Sequence, residues 1–353
     1  MTADPRDGAC SGGWHHACVT RPRVDPPAAA GLVLGAVADL LLADPRRWHP
    51  VAGFGSAAGA LERRLWQDSR PAGVAHALAL TGAAVGAGAA LQRAGRRRPL
   101  VRALLTAATT WTVLGGTSLG RAAATMHAAL AEGDVVAARA ALPALAGRDP
   151  SALDEGGLAR ATVESVAENT SDAAIAPLFW GAVAGIPGLL GYRAVNTLDA
   201  MVGHHSPRYE RFGWAAARID DVANWIPARL TAALTVLCAP VAGGSAAGAL
   251  VTWRRDGAAH PSPNAGHCEA AMAGALGLRL GGRNVYGSRV EDRPTLGRGR
   301  PPVADDIPRA VRLSRAVWIA AAVLAATARL RREARMTPRG SASTKKPAGS
   351  IRA

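Results

Sequence analysis

Residues 72–91, AGVAHALALTGAAVGAGAAL, decide the class of fold, because His76 is the only ionisable side chain among them. An α-helix rises about 1.5 Å per residue. About 20 apolar residues therefore cross the roughly 30 Å hydrocarbon core of a bilayer. The segment has this length and this composition. It predicts a membrane-spanning helix.

Four more runs have the same character. The first carries one acidic residue, Asp39, and the other three carry no charge. A shorter sixth run, Ala316–Ala328, lies between two arginines, so a short span and an interfacial helix both remain open for it. In chain order the four runs are Ala28–Ala43, Ala103–Leu119, Ala173–Tyr192 and Leu230–Trp253.

These runs favour an integral membrane protein over a soluble protein with buried core helices, since five of them occur in one chain. The predicted fold class is an all-α integral membrane protein, with about five to six transmembrane or re-entrant helices and polar helical loops. Residues 28–332 are expected to form one membrane-embedded catalytic domain. The main loops are Asp44–Pro71, Arg121–Asp172, Arg193–Arg229 and Arg254–Arg315.

The charge of the chain indicates the same environment. The 353 residues include 41 Lys and Arg, and the formal net charge is +15. Basic clusters stand beside apolar runs, at residues 93–98 and 329–335, as is typical of short cytoplasmic loops in membrane proteins. No nucleic-acid-binding motif accompanies them. We therefore expect a lipid bilayer as partner and no nucleic acid.

The two ends of the chain differ in composition from its middle. Residues 1–27 are polar and rich in Pro and Gly, and residues 333–353 are a basic mixture of Ser, Thr, Lys, Pro and Gly. Both are predicted to be disordered. A zinc site is the alternative for the leader, but its residues match no standard metal spacing. These residues are Cys10, His15, His16 and Cys18.

Strict alternation of spans would place the loops Arg121–Asp172 and Arg193–Arg229 on opposite membrane faces, although both carry residues suited to catalysis. The run between them holds helix-breaking prolines and glycines from Pro177 to Gly188. Such residues are tolerated at membrane depth where the backbone lines a cavity enclosed by protein. A re-entrant or broken helix would bring both loops to one face. An unbroken span is the alternative.

A stripe of carboxylates precedes this broken run. Glu164, Glu168 and Asp172 are spaced i, i+4 and i+8, with Asn169 beside them. On a helix the three carboxylates share one face, where like charges repel. Mg²⁺ would relieve the repulsion, because carboxylates together with substrate phosphates are its usual ligands. A solvated acidic face is the alternative, but charge beside an apolar membrane segment is usually functional.

A second polar group follows the broken run. Asn196 and Asp199 lie about one helical turn apart, and Asp220, Asp221 and Asn224 form a D-D-x-x-N cluster. Adjacent carboxylates with an amide one turn later suit a site for a metal ion and a phosphate. The two groups together predict one active site beside the membrane.

Candidate anion-binding residues flank these carboxylates. Arg218 and Arg229 present guanidinium groups suited to bidentate binding of phosphate or carboxylate. The turn containing Ser262, Asn264 and Gly266, with Asn284 further on, could bind an anion through free backbone N–H groups. An ordinary glycine-rich loop is the alternative for that turn.

Two further observations limit the interpretation. No G-x-x-x-x-G-K-[ST] motif occurs in the chain, so any ATP would be held without a P-loop. His49, in the sequence D-P-R-R-W-H-P-V after the first apolar run, is expected to cap the helix of that run rather than to bind a ligand.

Taken together, these segments resemble the CobD/CbiB family, in the family's own order. The resemblance covers roughly Gly31 to Ser314 and leaves out both ends of the chain. The segments that carry it are DLLLADPRRWHPV (39–51), ESVAENTSDAAIAPLFW (164–180), YRAVNTLDAMVGH (192–204), FGWAAARIDDVANWIPARLT (212–231) and SPNAGHCEAAMAGALGLRLGG (262–282).

The resemblance implies a multi-pass protein of the cell membrane that acts in cobalamin biosynthesis. It implies the ATP- and Mg²⁺-dependent joining of adenosylcobyric acid to (R)-1-amino-2-propanol or its phosphate, giving adenosylcobinamide or its phosphate. The soluble substrates imply an active site that faces the cytoplasm. Other corrinoid-assembly membrane proteins are possible partners.

Amide ligation of this kind needs metal-binding carboxylates, arginines for phosphate and a general base. The predicted metal ligands are Glu168, Asp172, Asp220 and Asp221. No residue is identified as the base. The full set of predicted catalytic residues is Glu164, Glu168, Asn169, Asp172, Asn196, Asp199, Asp220, Asp221 and Asn224.

Two other functions remain open from the sequence. A membrane-embedded prenyl- or phospho-alcohol transferase also uses Asp and Asn clusters with Mg²⁺, and a lipid diphosphate donor would identify it. A non-catalytic membrane sensor is the second alternative. A sensor has little need for both the acidic stripe and the D-D-x-x-N cluster.

Overall fold

The structure, a computed structural model, describes residues 25–44, 49–147, 149–151, 153–204, 206–286 and 289–331; at 283–286 and 289–291 it describes the backbone alone. The predicted leader and tail lie outside these ranges, apart from residues 25–27 at the start of the first helix. The candidate zinc residues between Cys10 and Cys18 lie outside them too.

The described chain is almost entirely helical. Its α-helices are α1 Pro26–Leu42, α2 Pro50–Leu65, α3 Arg70–Ala94, α4 Pro99–Val113, α5 Gly116–Ala131, α6 Val135–Ala141, α7 Glu155–Thr170, α8 Ala176–Ala184, α9 Ile186–Leu198, α10 Trp214–Ala223, α11 Trp225–Cys238, α12 Ala246–Asp256, α13 Ala265–Leu276 and α14 Asp306–Arg331. Two π-helical turns, Ser171–Ile175 and Asp199–Gly203, follow α7 and α9. The strands β1 Leu280–Tyr286 and β2 Arg289–Leu296 form an antiparallel hairpin that the sequence analysis did not predict.

By length and composition, three stretches of the described chain could cross a membrane. They are α3, α14 and Trp225–Ala242, in which α11 continues through a 3₁₀ turn. The predicted span at residues 72–91 lies within α3, and most of the run 28–43 lies within the 17-residue α1. The predicted class, an all-α integral membrane protein, is confirmed.

Three predicted runs have other boundaries than expected. The run 103–119 is divided between α4 and α5, because the chain leaves the helix at Leu114 and Gly115. The run 230–253 is divided after Ala242, where Gly243 adopts a left-handed φ of 66°. The run 316–328 is part of α14, which has 26 residues because it begins in the polar sequence at Asp306. The run was expected to be a short span or an interfacial helix, and it belongs to a helix that is long and apolar enough to cross a membrane.

The predicted break in the run 173–192 is confirmed. Helices α8 and α9 meet at Gly185, whose φ of 71° favours glycine. The two helices then pack against each other, and the backbone of Gly188 lies so close to the Trp180 carbonyl that no Cβ would fit. The chain therefore reverses at Gly185. The loops before α8 and after α9 lie at the same end of the helix bundle.

Small residues allow the helices of the bundle to approach closely. A Cβ added to Gly31 of α1 would lie 2.5 Å from the Cβ of Thr106 in α4, and Gly35 faces Thr110 one turn later. The two helices are therefore parallel. Contacts of this kind, with small residues between helices, are typical of packing in membranes.

Ion pairs tie the helices together at one end of the bundle. Asp25, buried before α1, pairs with Arg102 of α4 and Arg329 of α14. Gln92 of α3 accepts a backbone hydrogen bond from the α8–α9 turn at 3.1 Å. The loop Gly95–Arg98 joins α3 to α4 here, so we name this the arginine-rich end. The beginning of α3 and the ends of α1, α4 and α9 lie at the opposite end.

His49 is structural, as predicted, but it caps the helix that follows it rather than the helix of the first apolar run. It is the N-cap of α2, where its Nδ1 accepts the Val51 N–H at 3.1 Å. This hydrogen bond satisfies one of the backbone donors that the first turn of a helix leaves free.

Candidate active site

A cavity of about 880 Å³ opens at the end of the bundle opposite the arginine-rich end. Its walls come from the start of α3, the end of α7, both π-helical turns, α10, the loop before α13 and β2. It brings together residues of all four predicted polar loops, so parts of each loop lie at this end. Five of the predicted carboxylates line it: Glu168, Asp172, Asp199, Asp220 and Asp221.

The two π-helical turns place two of these carboxylates. Asp172 lies in the first turn and Asp199 begins the second. A π-helical turn inserts extra chain into the helical repeat and is frequent at functional sites. Here each turn occurs where an apolar helix meets the polar end of the bundle. The carboxylates thus enter the cavity from the two arms of the α8–α9 hairpin.

Amide side chains orient Asp220. Its Oδ2 accepts a hydrogen bond from Asn224 Nδ2 at 3.0 Å, and Asn196 also hydrogen-bonds to this carboxyl. Asn224 is fixed in turn by Tyr192, whose hydroxyl donates to Asn224 Oδ1 at 2.9 Å. The second oxygen, Asp220 Oδ1, is buried without a hydrogen-bond partner among the described residues. A buried carboxylate oxygen in that state is suited to bind a cation.

The carboxylates of the cavity raise one another's pKa. Burial, followed by the charges of Asp221 and Glu168, raises the pKa of Asp199 to about 6. Burial and then the charge of Asp199 raise the pKa of Asp220 to about 7. The pKa of Asp172 is raised well above its ordinary value, first by burial and then by Asp220 and Glu168. So much negative charge in one partly buried site favours a cationic ligand.

The carboxylates of the cavity suit a magnesium ion that keeps several water ligands, rather than a metal ion enclosed by protein ligands alone. Within the described ranges, no three His, Cys, Asp or Glu side chains form a compact metal-binding group. Mg²⁺ does not need one, because it commonly keeps several waters and takes one or two carboxylates plus substrate phosphates. Asp220, with its unpartnered oxygen, and Asp172 beside it are the best candidates in this structure.

Asp221 has a cationic partner in the wall of the cavity. Arg218 Nη1 lies 3.2 Å from Asp221 Oδ2. Both line the cavity, and both remain partly exposed. Arg218 therefore lines the cavity. An anion bound there would compete with Asp221 for its guanidinium group.

Two residues of the predicted stripe do not line the cavity. Glu164 is buried and accepts the Gly281 N–H at 2.8 Å, so it holds the start of the hairpin. Asn169 donates to the Ser165 carbonyl and hydroxyl oxygens, each at 3.0 Å. The predicted common face therefore does not extend to Glu164, because the chain at Gly281 covers that turn of α7.

In the turn at 262–266, Ser262 and Asn264 line the cavity, but backbone N–H groups that were expected to be free have partners. Ser262 Oγ accepts the N–H groups of Asn264 (3.3 Å) and Ala265 (3.2 Å), so these donors are not free for an anion. The Asn264 amide donates to the Asp221 carbonyl at 2.8 Å. Gly266 has a steric role, since a Cβ there would overlap His260. The turn thus braces the D-D-x-x-N cluster.

Two predicted anion-binding residues remain, Arg229 and Asn284. Arg229 stacks on Trp225 at 4.3 Å and donates to the Trp225 carbonyl at 2.8 Å, beside the cavity rather than in its wall. The side chain of Asn284 lies outside the described residues.

Sequence reasoning missed several residues that line the cavity. Arg70, at the start of α3, stacks on Trp214 with its guanidinium 5.0 Å from the ring centre. Arg293 reaches the cavity from β2, and His260 from the loop before α13. His260 lies two residues before the segment 262–282, so its position was a signal that could have been followed. Arg70 and Arg293 stand in no motif, and only the tertiary fold brings them here.

Comparison with known proteins identifies the family of the chain. A sequence model described as CobD/Cbib protein matches residues 32–314, which include the whole cavity wall. The chain belongs to the CobD/CbiB family. No solved structure matches it.

Curated members of the CobD/CbiB family match most of the chain. A protein of Mycobacterium tuberculosis named "Cobalamin biosynthesis protein CobD" is 55% identical over 287 residues, covering 81% of this chain and 91% of the relative. Proteins with the same name from Geobacter metallireducens and Rhodobacter capsulatus are 47% identical over 276 residues and 44% over 298. These two matches cover 76% and 81% of this chain, and 86% and 92% of the relatives.

Proposed function

We propose that this protein acts in cobalamin biosynthesis as an amide-forming ligase. The substrates would be adenosylcobyric acid, ATP and (R)-1-amino-2-propanol or its phosphate, and the product adenosylcobinamide or its phosphate. The observation that carries the proposal is the cavity in which clustered carboxylates, one with an unpartnered buried oxygen, stand opposite arginines. Family membership supports the pathway.

The reaction requires activation, because a carboxylate attacked by an amine would have to expel oxide. Transfer of the γ-phosphoryl group of ATP to the carboxylate forms one P–O bond and breaks the bond to ADP. The amine then attacks the acyl carbon, a C–N bond forms, and phosphate leaves with the electrons of the broken C–O bond. Because only the neutral amine has a lone pair with which to attack, a base first removes a proton from its ammonium form.

The residues of the cavity suit these steps. Asp172 and Asp220 would hold Mg²⁺, which when bound neutralises charge on the phosphates. Arg70, Arg218 and Arg293 line the same cavity and would bind phosphate or carboxylate oxygens. Fixed charges aimed at a developing charge are commonly the largest contribution to catalysis.

Asp199 is the residue that we assign as general base. Its pKa of about 6 lies near the operating pH, where proton transfer is most effective. Unlike Asp220, it has no asparagine hydrogen bond to hold it in the ionised form. The structure thereby offers a candidate for the role that sequence reasoning left unassigned.

The cavity would face the cytoplasm, where ATP is available. The arginine-rich end then faces the other way, which runs against the tendency of basic short loops to be cytoplasmic. Cysteines placed at Glu155 or Arg208, and at Arg97, test the orientation by labelling in intact cells with an impermeant reagent. The proposal expects labelling at position 97 alone. Labelling at 155 or 208, with 97 protected, would reverse the orientation.

The function itself is tested with purified protein and each substrate in turn omitted. Product should form when adenosylcobyric acid, the aminopropanol compound, ATP and Mg²⁺ are all present. A transferase would instead consume a lipid diphosphate and form no amide. The two outcomes differ in the bond made, so mass spectrometry of the product separates them.

A further inference from the structure

A second cavity, of about 310 Å³, lies between α1, α5, α7 and α14. It shares no lining residue with the carboxylate cavity. Nothing in the proposed ligation uses it. Its lining combines two arginines with an apolar wall, and this combination identifies a class of ligand.

The two arginines, Arg121 of α5 and Arg315 of α14, line this cavity from opposite helices. Neither guanidinium has a hydrogen bond or ion pair within the described part of the chain. Asp39 lies within electrostatic range of Arg121, but its carboxylate accepts the Thr117 N–H at 3.0 Å. Both arginines are exposed and line the same cavity, and among the described residues neither has an acidic partner at ion-pair distance. An anion would complete the site.

Apart from Thr117 and Ser314, the rest of the wall is apolar. Leu40, Leu119 and Val311 line the cavity beside Trp318, which is only 2% exposed. Gly120 leaves room in the wall, since a Cβ there would lie 3.4 Å from Val311. A small hydrated anion gains nothing from such surfaces. A ligand that joins an anionic group to a hydrocarbon chain uses both halves of the cavity.

The cavity lies where α14 changes from polar to apolar. Arg315 directly precedes the apolar run 316–328, and large side chains of that run point outward: Val323 is 59% exposed and Leu324 is 48% exposed. At the end of α1, next to Leu40, Leu41 is 72% exposed. A basic residue at the boundary of an apolar span, with exposed apolar side chains beyond it, is typical of the level at which lipid headgroups lie.

We propose that this cavity binds an anionic phospholipid. The phosphate lies between Arg121 and Arg315, and an acyl chain follows Leu40 and the exposed apolar face of α14. Arginine binds phosphate through paired charge-assisted hydrogen bonds, which gives the preference for an anionic over a zwitterionic headgroup. The bound lipid joins α5, which belongs to the polar part of the molecule, to the apolar part of α14.

Native mass spectrometry of the detergent-purified full chain tests this directly. Phosphatidylglycerol is titrated against phosphatidylcholine of the same acyl chains, with wild type and Arg121→Gln/Arg315→Gln. A charged hydrogen bond contributes about 1.5–3 kcal/mol, and 1.4 kcal/mol is a factor of ten in affinity. The double variant should therefore bind phosphatidylglycerol at least tenfold more weakly. Arg312→Gln, on the same helix but outside the cavity, should bind like wild type.

A second variant separates lipid binding from phosphate binding. Gly120→Leu fills the cavity and keeps both charges, so it should also bind phosphatidylglycerol at least tenfold more weakly. The melting temperature shows that each variant is folded, and the single arginine variants serve if the double variant is not. Three results would overturn the proposal: equal binding of phosphatidylcholine, full displacement of the lipid by millimolar inorganic phosphate, or equal losses in Arg312→Gln.

Discussion

Asp220→Asn isolates the charge that the proposed site depends on. The change keeps the size of the side chain, and the amide oxygen can still accept the Asn224 hydrogen bond that Asp220 Oδ2 accepts at 3.0 Å. It removes the negative charge and the unpartnered oxygen Oδ1 as a cation ligand. The variant thus tests binding of a cation without opening a hole in the wall.

The expected loss follows from the position of the carboxylate. Removing one preorganised group that stabilises charge in a transition state lowers the rate about 10²–10³-fold, or about 2.7–4 kcal/mol. We expect this loss in the ligation rate at saturating substrates. Raising the Mg²⁺ concentration should restore little of it, since the oxygen itself is gone.

The Asp220→Asn variant should lose activity but not thermal stability. The pKa of Asp220 is raised from its ordinary value of 3.8 to about 7, so the folded protein holds a proton that the unfolded chain has already released. Wild-type stability therefore falls as pH rises between about 4 and 7, and the loss persists above that range. The Asn variant lacks this titration. At pH 8 without metal it should melt no lower than wild type.

The assay is product formation by chromatography over a Mg²⁺ titration, with a thermal melt for each variant. Glu168→Gln should behave like Asp220→Asn. Glu164→Gln, one turn away, retains an acceptor for the Gly281 N–H and should keep near wild-type rates. Asp134→Asn retains the N-cap of α6 and is the surface control. Near wild-type ligation by both Asp220→Asn and Glu168→Gln at low Mg²⁺ would refute the reasoning.

Two further predictions concern the metal and the bundle. Mg²⁺ should raise the melting temperature more at pH 8 than at pH 6. The reason is that protons on Asp199 and Asp220, whose pKa values are about 6 and about 7, compete with the ion. Equal shifts of the melting temperature at both pH values would contradict this. Asp25→Asn should lower stability by about 3–5 kcal/mol, since Arg102 and Arg329 lose a buried carboxylate. Its ligation rate per folded molecule should be unchanged, and an unchanged melting temperature would show that the ion pairs do not hold that end together.

The sequence was informative where the chemistry is local. In a membrane the apolar residues 72–91 are stable only as a helix, and they do lie within the helix α3. The break at Gly185 followed from glycine and proline alone. Carboxylates spaced by one helical turn indicated the site, and Glu168, Asp172, Asp199, Asp220 and Asp221 do meet in one cavity.

The sequence was uninformative where contacts between distant segments of the chain determine the surroundings of a residue. Glu164 and Glu168 have the same local setting in α7, yet the chain at Gly281, more than a hundred residues later, covers only the first. The N–H groups at Asn264 and Ala265 are open in the sequence pattern but taken by Ser262 Oγ in the fold. Helical spacing indicates which side chains lie on one face of a helix. It does not indicate which distant segments of the chain cover that face.

The arginines show the same limit. Arg218 and Arg229 stand beside the D-D-x-x-N cluster in sequence, but only Arg218 lines the cavity. Arg70 and Arg293 enter it from opposite parts of the chain, one before and one after the predicted site segments. With 41 Lys and Arg residues in the chain, no local pattern distinguishes these two from the rest.

The most direct test of the central claim is single-turnover ligation by the purified protein in detergent or nanodiscs. The reaction contains adenosylcobyric acid, (R)-1-amino-2-propanol phosphate, ATP and Mg²⁺, with ADP, phosphate and corrinoid product measured together. The account predicts one ADP and one phosphate for each amide formed, and no product without Mg²⁺ or ATP. Amide formation that proceeds without ATP, or ATP hydrolysis that yields no amide, would contradict it.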